Sequence, residues 1–270
     1  MLDIHLCQPE GKKSCAACCG IYNYADNLKH SLLKRFAYRS QIFSKVRAGS
    51  LALDAYRDIV RHREDGKRIY RTIYTCEFVG FLNRAKTKVG CMLHPLQNQG
   101  RDLREKSFYG RDLCEGHFCP SYEKLCAHEA RIVIDSIEDW YLYGTVITDI
   151  DYVKAFFRIV QDMLGEEVQP GRIKHNPRLQ SFLGEYFGLK TAWPFRDTAR
   201  PRFGKYYFVG EEYALDRIDY ATLDAGPSPY DPILLSLSSR FTTRQDLDMA
   251  NSRLDVIIEG FIREYGRSDS

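Results

Sequence analysis

The residues best suited to chemistry in this chain are cysteines, and they are placed unevenly. There are nine, at positions 7, 15, 18, 19, 76, 91, 114, 119 and 126, and eight of them lie within residues 1–119. Four short segments carry the pattern. In Cys15-Ala-Ala-Cys18-Cys19-Gly20, a C-x-x-C turn puts two sulfurs on one side of a tight loop. One soft cation can reach both at about 2.3 Å per bond. Side chains of adjacent residues diverge, so Cys18 and Cys19 either serve different sites or both reach a multinuclear cluster. The second segment is Cys76-Glu-Phe, and the third is Gly90-Cys91-Met-Leu-His94-Pro95. The fourth, Cys114-Glu-Gly-His117-Phe-Cys119-Pro120, packs two thiols and an imidazole before a proline that stops any regular ladder. Together they offer the thiols of Cys15, Cys18, Cys19, Cys76, Cys91, Cys114 and Cys119, with His94 and His117 as imidazoles. Such a set suits a pair of four-coordinate sites, one made wholly of thiolates and the other of three thiolates and an imidazole. It equally suits one iron–sulfur cluster with thiols to spare.

The same order of residues resembles the CxxCxxCC family, also called YkgJ-like proteins. The likeness spans roughly residues 15–120 and lies in the C-x-x-C-C opening, the lone Cys before Phe, the G-C-x-L-H-P turn and the closing C-x4-C-P. That family is described as zinc- or iron-chelating, and the resemblance implies that the seven cysteines at 15, 18, 19, 76, 91, 114 and 119 are ligands. One departure stands out. Where the family motif has a further cysteine, three residues before Cys15, this chain has Lys12. Cys7, His94 or His117 would have to make up the number.

Spacing leaves the metal open. Tetrahedral thiolate sites suit zinc and iron–sulfur clusters alike. Zinc is the expected cofactor, as a closed anchor for loops, with an iron–sulfur cluster and a redox, sensing or maturation role as the alternative. The radical-SAM C-x3-C-x2-C pattern and the ferredoxin C-x2-C-x2-C-x3-C-P run are both missing. A metal-dependent enzyme would need an open coordination position and a base, for which Glu77 and Glu115 stand beside ligands. A thiol redox pair at Cys15 and Cys18, favoured by Lys12 and Lys13, lacks the strand and helix expected around it. No phosphate loop, dinucleotide fingerprint, G-x-S-x-G or H-E-x-x-H is found. Cys126 falls inside an expected helix and reads as a small buried hydrophobe. His5, His30, His62, His128 and His175 have no ligand-like context.

The elements that must position these residues read as mainly α with minor β. An irregular, Cys-rich metal-binding part (1–121, with two helices) would pack on a helical part (122–270) with a small hairpin, as two domains or as one continuous domain. The periodicity predicts helices over 26–46 with Asp26 as cap, from about 50 to 63, over 122–145, over 151–164 with Asp151 as cap, over 177–188 and over 244–265 with Gly266 as stop. The alternating stretch 68–75 predicts a strand, 203–218 a hairpin around Gly210, and 76–122 loops. Charge is uneven: residues 1–71 carry 14 Lys/Arg against 7 Asp/Glu in a chain of net charge +3. The excess gathers at Lys34, Arg35, Arg39, Lys45 and Arg47, then at Arg61, Arg63, Lys67, Arg68 and Arg71. That face could meet an acidic or phosphate-bearing partner, or simply be the solvated side of helices. The first residues lack the apolar core of an export signal, and no apolar run approaches the roughly 18–20 residues of a membrane span. A cytoplasmic protein is expected, and in a reducing compartment nine cysteines are ligands sooner than disulfides.

Overall fold

A computed structural model of the chain describes residues 4–9, 13–64, 66–198, 206–209 and 212–267. It is a mainly α fold with little strand. The chain divides into two compact units: one of Ile4–Cys119 with Asp139–Gly144, the other containing Pro120–Glu138 and Thr145–Ser270.

In the first unit, short 3-10 turns over Ala17–Cys19 and Ile21–Asn23 lead into α1 (Lys29–Arg47) and α2 (Leu53–Arg63). Asp26 stands outside the N-cap of α1, which is Leu28, and instead accepts hydrogen bonds from the Leu28 N–H and the Ser31 hydroxyl (3.4 and 2.7 Å). The expected strand over 68–75 is not formed. Only an isolated bridge joins Tyr24 to Arg68, because the carbonyls of Tyr70 and Ile73 turn inward to accept from the Asn23 side chain (2.9 and 2.7 Å). Strand pairing falls instead on the stretch read as loop: β1 (Val79–Phe81) pairs antiparallel with β2 (Val89–Cys91), Gly80 opposite Gly90. Two glycines face each other there because a Cβ on Gly80 would come 2.7 Å from both Met92 Sδ and Ser40 Oγ, and one on Gly90 2.7 Å from Leu82. The core beneath is aromatic. Phe43 meets Tyr56 edge-on, Tyr56 stacks on Phe78, and Phe36 meets Phe81 and Trp140. Each buried ring contributes about 2 kcal/mol of transfer free energy. A short helix, α3 (Gly110–Gly116), closes the unit's main run.

The helical unit includes α4 (Ser121–Lys124), α5 (Ala127–Ser136), the end of α6 (Trp140–Ile147), α7 (Ile150–Leu164), α8 (Pro170–Lys174) and α9 (Pro177–Ala192). It continues through β3 (Tyr206–Val209) paired with β4 (Glu212–Leu215), then α10 (Asp231–Ser236) and α11 (Arg244–Arg267). The single helix expected over 122–145 is three. Ile137 turns extended, and the Asp139 carboxylate caps a fresh start by accepting from the Leu142 N–H at 2.9 Å. The cap of α7 is Asp149, whose side chain accepts from the Tyr152 N–H, two residues before the expected Asp151. Helix α11 runs through Gly266 without stopping, and the Gly210 turn lies outside the described residues. Tyr152 and Tyr186 stack at 4.5 Å and exchange hydroxyl-to-carbonyl hydrogen bonds, while Phe156 packs against Tyr186 and Phe261. Among the described residues, no helix is long and apolar enough to cross a membrane.

Candidate metal centre

The thiol segments are tied together by backbone before any ligand is considered. Cys15 N–H donates to the Cys7 carbonyl at 2.9 Å, and Cys76 N–H to the Cys19 carbonyl at 2.9 Å. Val89 N–H donates to Ser14 Oγ at 2.8 Å, fastening β2 and its Cys91 to the N-terminal loop. Leu103 N–H donates to the Leu93 carbonyl, and Ser107 Oγ lies 3.4 Å from Cys114 Sγ, which brings in the last segment. Gly20 makes the first turn possible. Its φ of 76° is left-handed, and a Cβ there would sit 2.1 Å from the Tyr74 carbonyl oxygen. The Cys76 loop is gripped from behind by Arg39 of α1, which is 1% exposed. Arg39 donates to the carbonyls of Cys76 and Val79 (2.9 and 3.2 Å) and pairs with both Glu64 oxygens (2.7 and 2.6 Å). Tyr56 Oη adds a bond to the Glu77 carbonyl at 2.8 Å.

Electrostatics sorts the sulfurs into two quartets. Burial pushes the Cys15 thiol well up, and Cys7, Cys18 and Cys119 push it further. Cys18 has an exposed surface, yet desolvation by the surrounding protein, then Cys119 and Cys7, raises its thiol to about 12. Cys19 is raised by burial and then by Cys76, Cys91, Cys18 and Cys114. Cys76 stands at about 12, raised mainly by burial and also by Cys91 and Glu77. Cys91 stands at about 11, raised by burial and then by Cys114. Cys7, Cys15, Cys18 and Cys119 are therefore electrostatic neighbours, and so are Cys19, Cys76, Cys91 and Cys114. Adjacent Cys18 and Cys19 fall into different groups and still sense one another.

Opposing these upward shifts, backbone N–H groups bond several of the sulfurs and favour their charged form. The N–H two residues on bonds the sulfur at Cys15 (from Ala17, 3.5 Å), at Cys76 (from Phe78) and at Cys91 (from Leu93, with His94 as well). Arg39 and Arg104 add positive charge beside Cys76 and Cys91. A dication amid four such sulfurs would convert mutual repulsion into attraction. The sulfurs stand open: among the described residues, no three of them all lie within 4.8 Å of one another. The loops must draw in for a single ion to be shared. All nine cysteines are free of disulfides.

The remaining candidates fall differently. Cys7, left open by the sequence, joins the first quartet, and its one local signal is the carbonyl bonded by Cys15. His94 caps the 3-10 turn Pro95–Gln97, its Nδ1 accepting from the Leu96 N–H at 3.2 Å; burial, then Arg104, lowers its pKa. His117 follows α3 as an exposed C-cap residue. Glu77 is buried between Arg57 and Arg61 (3.2 and 3.0 Å) and accepts from the Tyr74 hydroxyl, and Glu115 lies 3.5 Å from Arg104. Glu77 is thus spent on structure. Raised thiols at Cys15 and Cys18 are the opposite of what a nucleophilic redox pair needs, and Lys12 lies outside the described residues. The basic face is partly consumed internally: Arg35 and Arg39 pair with Glu64, Arg68 donates to Thr75, and Arg47 and Arg63 lie over the rings of Phe43 and Tyr38. Cys126 is not the small buried hydrophobe expected inside a helix. It is exposed at the N-cap of α5, because the helix breaks before it. Compared with family models, curated proteins and solved structures, the chain matches none.

Proposed function

We propose that this chain is a metal-binding protein that chelates zinc through two four-cysteine sites, one of Cys7, Cys15, Cys18 and Cys119, the other of Cys19, Cys76, Cys91 and Cys114. The observation carrying this reading is the sorting of eight thiols from five stretches of chain into two groups of four, each member close enough to raise another's pKa. The kinship with YkgJ-like proteins rests on cysteine order alone and is part of the proposal. Zinc held by four thiolates supplies a closed tetrahedral anchor with no open position for a substrate. On this reading His94 and His117 support the loops around the sites and are not ligands. The chain's own residues do the rest: backbone N–H groups and the two arginines favour the thiolate form, and Gly20 lets the turn close.

A second reading draws on the contact between Cys18 and Cys19, which sets the two quartets side by side. Eight thiols so arranged also suit iron–sulfur clusters and a redox or sensing role. Anaerobic purification with metal and acid-labile sulfide analysis separates the two. At least two zinc per chain and a colourless protein support the first reading, whereas brown protein with sulfide overturns it in favour of the second. Protein with neither metal, and no uptake on reconstitution, overturns both.

A further inference from the structure

The helical unit holds a donor cluster with no part in the thiol quartets. At the start of α5, Cys126 Sγ, a ring nitrogen of His128 and a carboxylate oxygen of Glu129 all lie within 4.8 Å of one another. In a tetrahedral site with bonds of about 2.0–2.3 Å, neighbouring ligand atoms stand roughly 3.3–3.8 Å apart, so small side-chain movements would close this trio. A capping box fixes two of the three: the Cys126 sulfur accepts from the Glu129 N–H, and the Glu129 carboxylate accepts from the Cys126 N–H at 2.9 Å. The surroundings set the charge balance that a metal ion would meet here. Glu129 is 3% exposed, and both its oxygens already hold one, the Lys154 ammonium at 2.9 and 3.0 Å, on a side chain that is 41% exposed. A second carboxylate, Glu167, reaches to 3.8 Å from His128 Nδ1, while Gln161 lies 3.5 Å from Nε2.

We propose that Cys126, His128 and Glu129 form a separate site for a divalent cation of borderline softness such as zinc, with Glu167 completing the shell and Lys154 as a built-in competitor. Sulfur, imidazole and carboxylate together fit zinc and cobalt better than magnesium or calcium. On binding, the Cys126 thiol releases its proton to solvent, its sulfur and the other donors coordinate, and Lys154 swings away from Glu129. The helix N-terminus opposes a bare cation, and two anionic donors in the trio offset that.

Zinc and cobalt(II) titrations of the full chain, of Cys126→Ser/His128→Gln and of Lys154→Gln test this. The double variant is expected to bind one fewer equivalent than the parent, with a smaller sulfur-to-cobalt charge-transfer band. Lys154→Gln is expected to bind the added equivalent at least about tenfold more tightly, since a competing positive charge is gone. Equal stoichiometry in parent and double variant overturns the proposal, as does unchanged affinity in Lys154→Gln. Should the double variant misfold by circular dichroism, the Lys154→Gln affinity decides alone. Failure of the thiol quartets would lower the total in every protein and leave the difference of one equivalent intact.

Discussion

Cys76 and Cys91 are held neutral by the fold in the absence of a cation, burial being the first cause and neighbouring thiols the next. Their thiols stand at about 12 and about 11, above the ordinary 9.0. A group raised in the folded state contributes stability that is complete below its unfolded pKa and lost as pH climbs through the folded one. Metal-free protein should therefore weaken between about pH 9 and pH 12, which denaturant melts across that range will register; a flat profile contradicts the burial described here. Zinc uptake should show the reverse dependence near neutrality. Each thiol that binds gives up a proton, so affinity should rise with pH and calorimetry in buffers of differing ionisation enthalpy should reveal proton release. Adjacent residues should separate the sites. Cys18→Ser is expected to lower zinc content at the first quartet and Cys19→Ser at the second, each by about one equivalent; loss of both ions from either change would favour a shared cluster. At Gly20, alanine would meet both a left-handed backbone and the Tyr74 carbonyl. A cost above about 2 kcal/mol is expected in thermal unfolding.

Helix α1 acts as the back plate of the second quartet through Arg39, which ties the Cys76 and Val79 carbonyls to Glu64. Removing one partner of a buried ion pair costs about 3–5 kcal/mol, and Arg35 remains on Glu64 at 2.6 Å. Arg39→Met should therefore cost about 3 kcal/mol, the low end of that range, in urea unfolding and weaken zinc retention at the second quartet. The hairpin β1–β2 carries Cys91 at its end, and its pairing was hidden in the sequence because two glycines interrupt the apolar alternation. Conversely, 68–75 alternates like a strand and forms none, since Asn23 claims its carbonyls. In the helical unit the periodicity over 122–145 is continuous, yet Ile137 turns extended and Asp139 caps anew. Side-chain hydrogen bonds to the backbone overrode pattern in both places.

Across the molecule, the quartet cysteines all lie in the unit of Ile4–Cys119, while Pro120–Glu138 and Thr145–Ser270 carry an aromatic core of their own. Chelation, or Cys91→Ser, should expose residues 76–120 to protease while the helices after 120 resist. Equal digestion of both units would show that they do not stand independently. From its own residues, the sequence determined the helical class, the positions of α1, α2, α7 and α11, and the clustering of seven thiols along the chain, because periodicity and residue type are local properties. Tertiary structure alone decided which sulfurs are neighbours, that Cys7 joins Cys15 and Cys18, that Glu77 is consumed by arginines, and that Cys126 lies at an exposed cap beside His128 and Glu129. Those are contacts between segments far apart in sequence or set by where a helix breaks, and residue order carries no local mark of either.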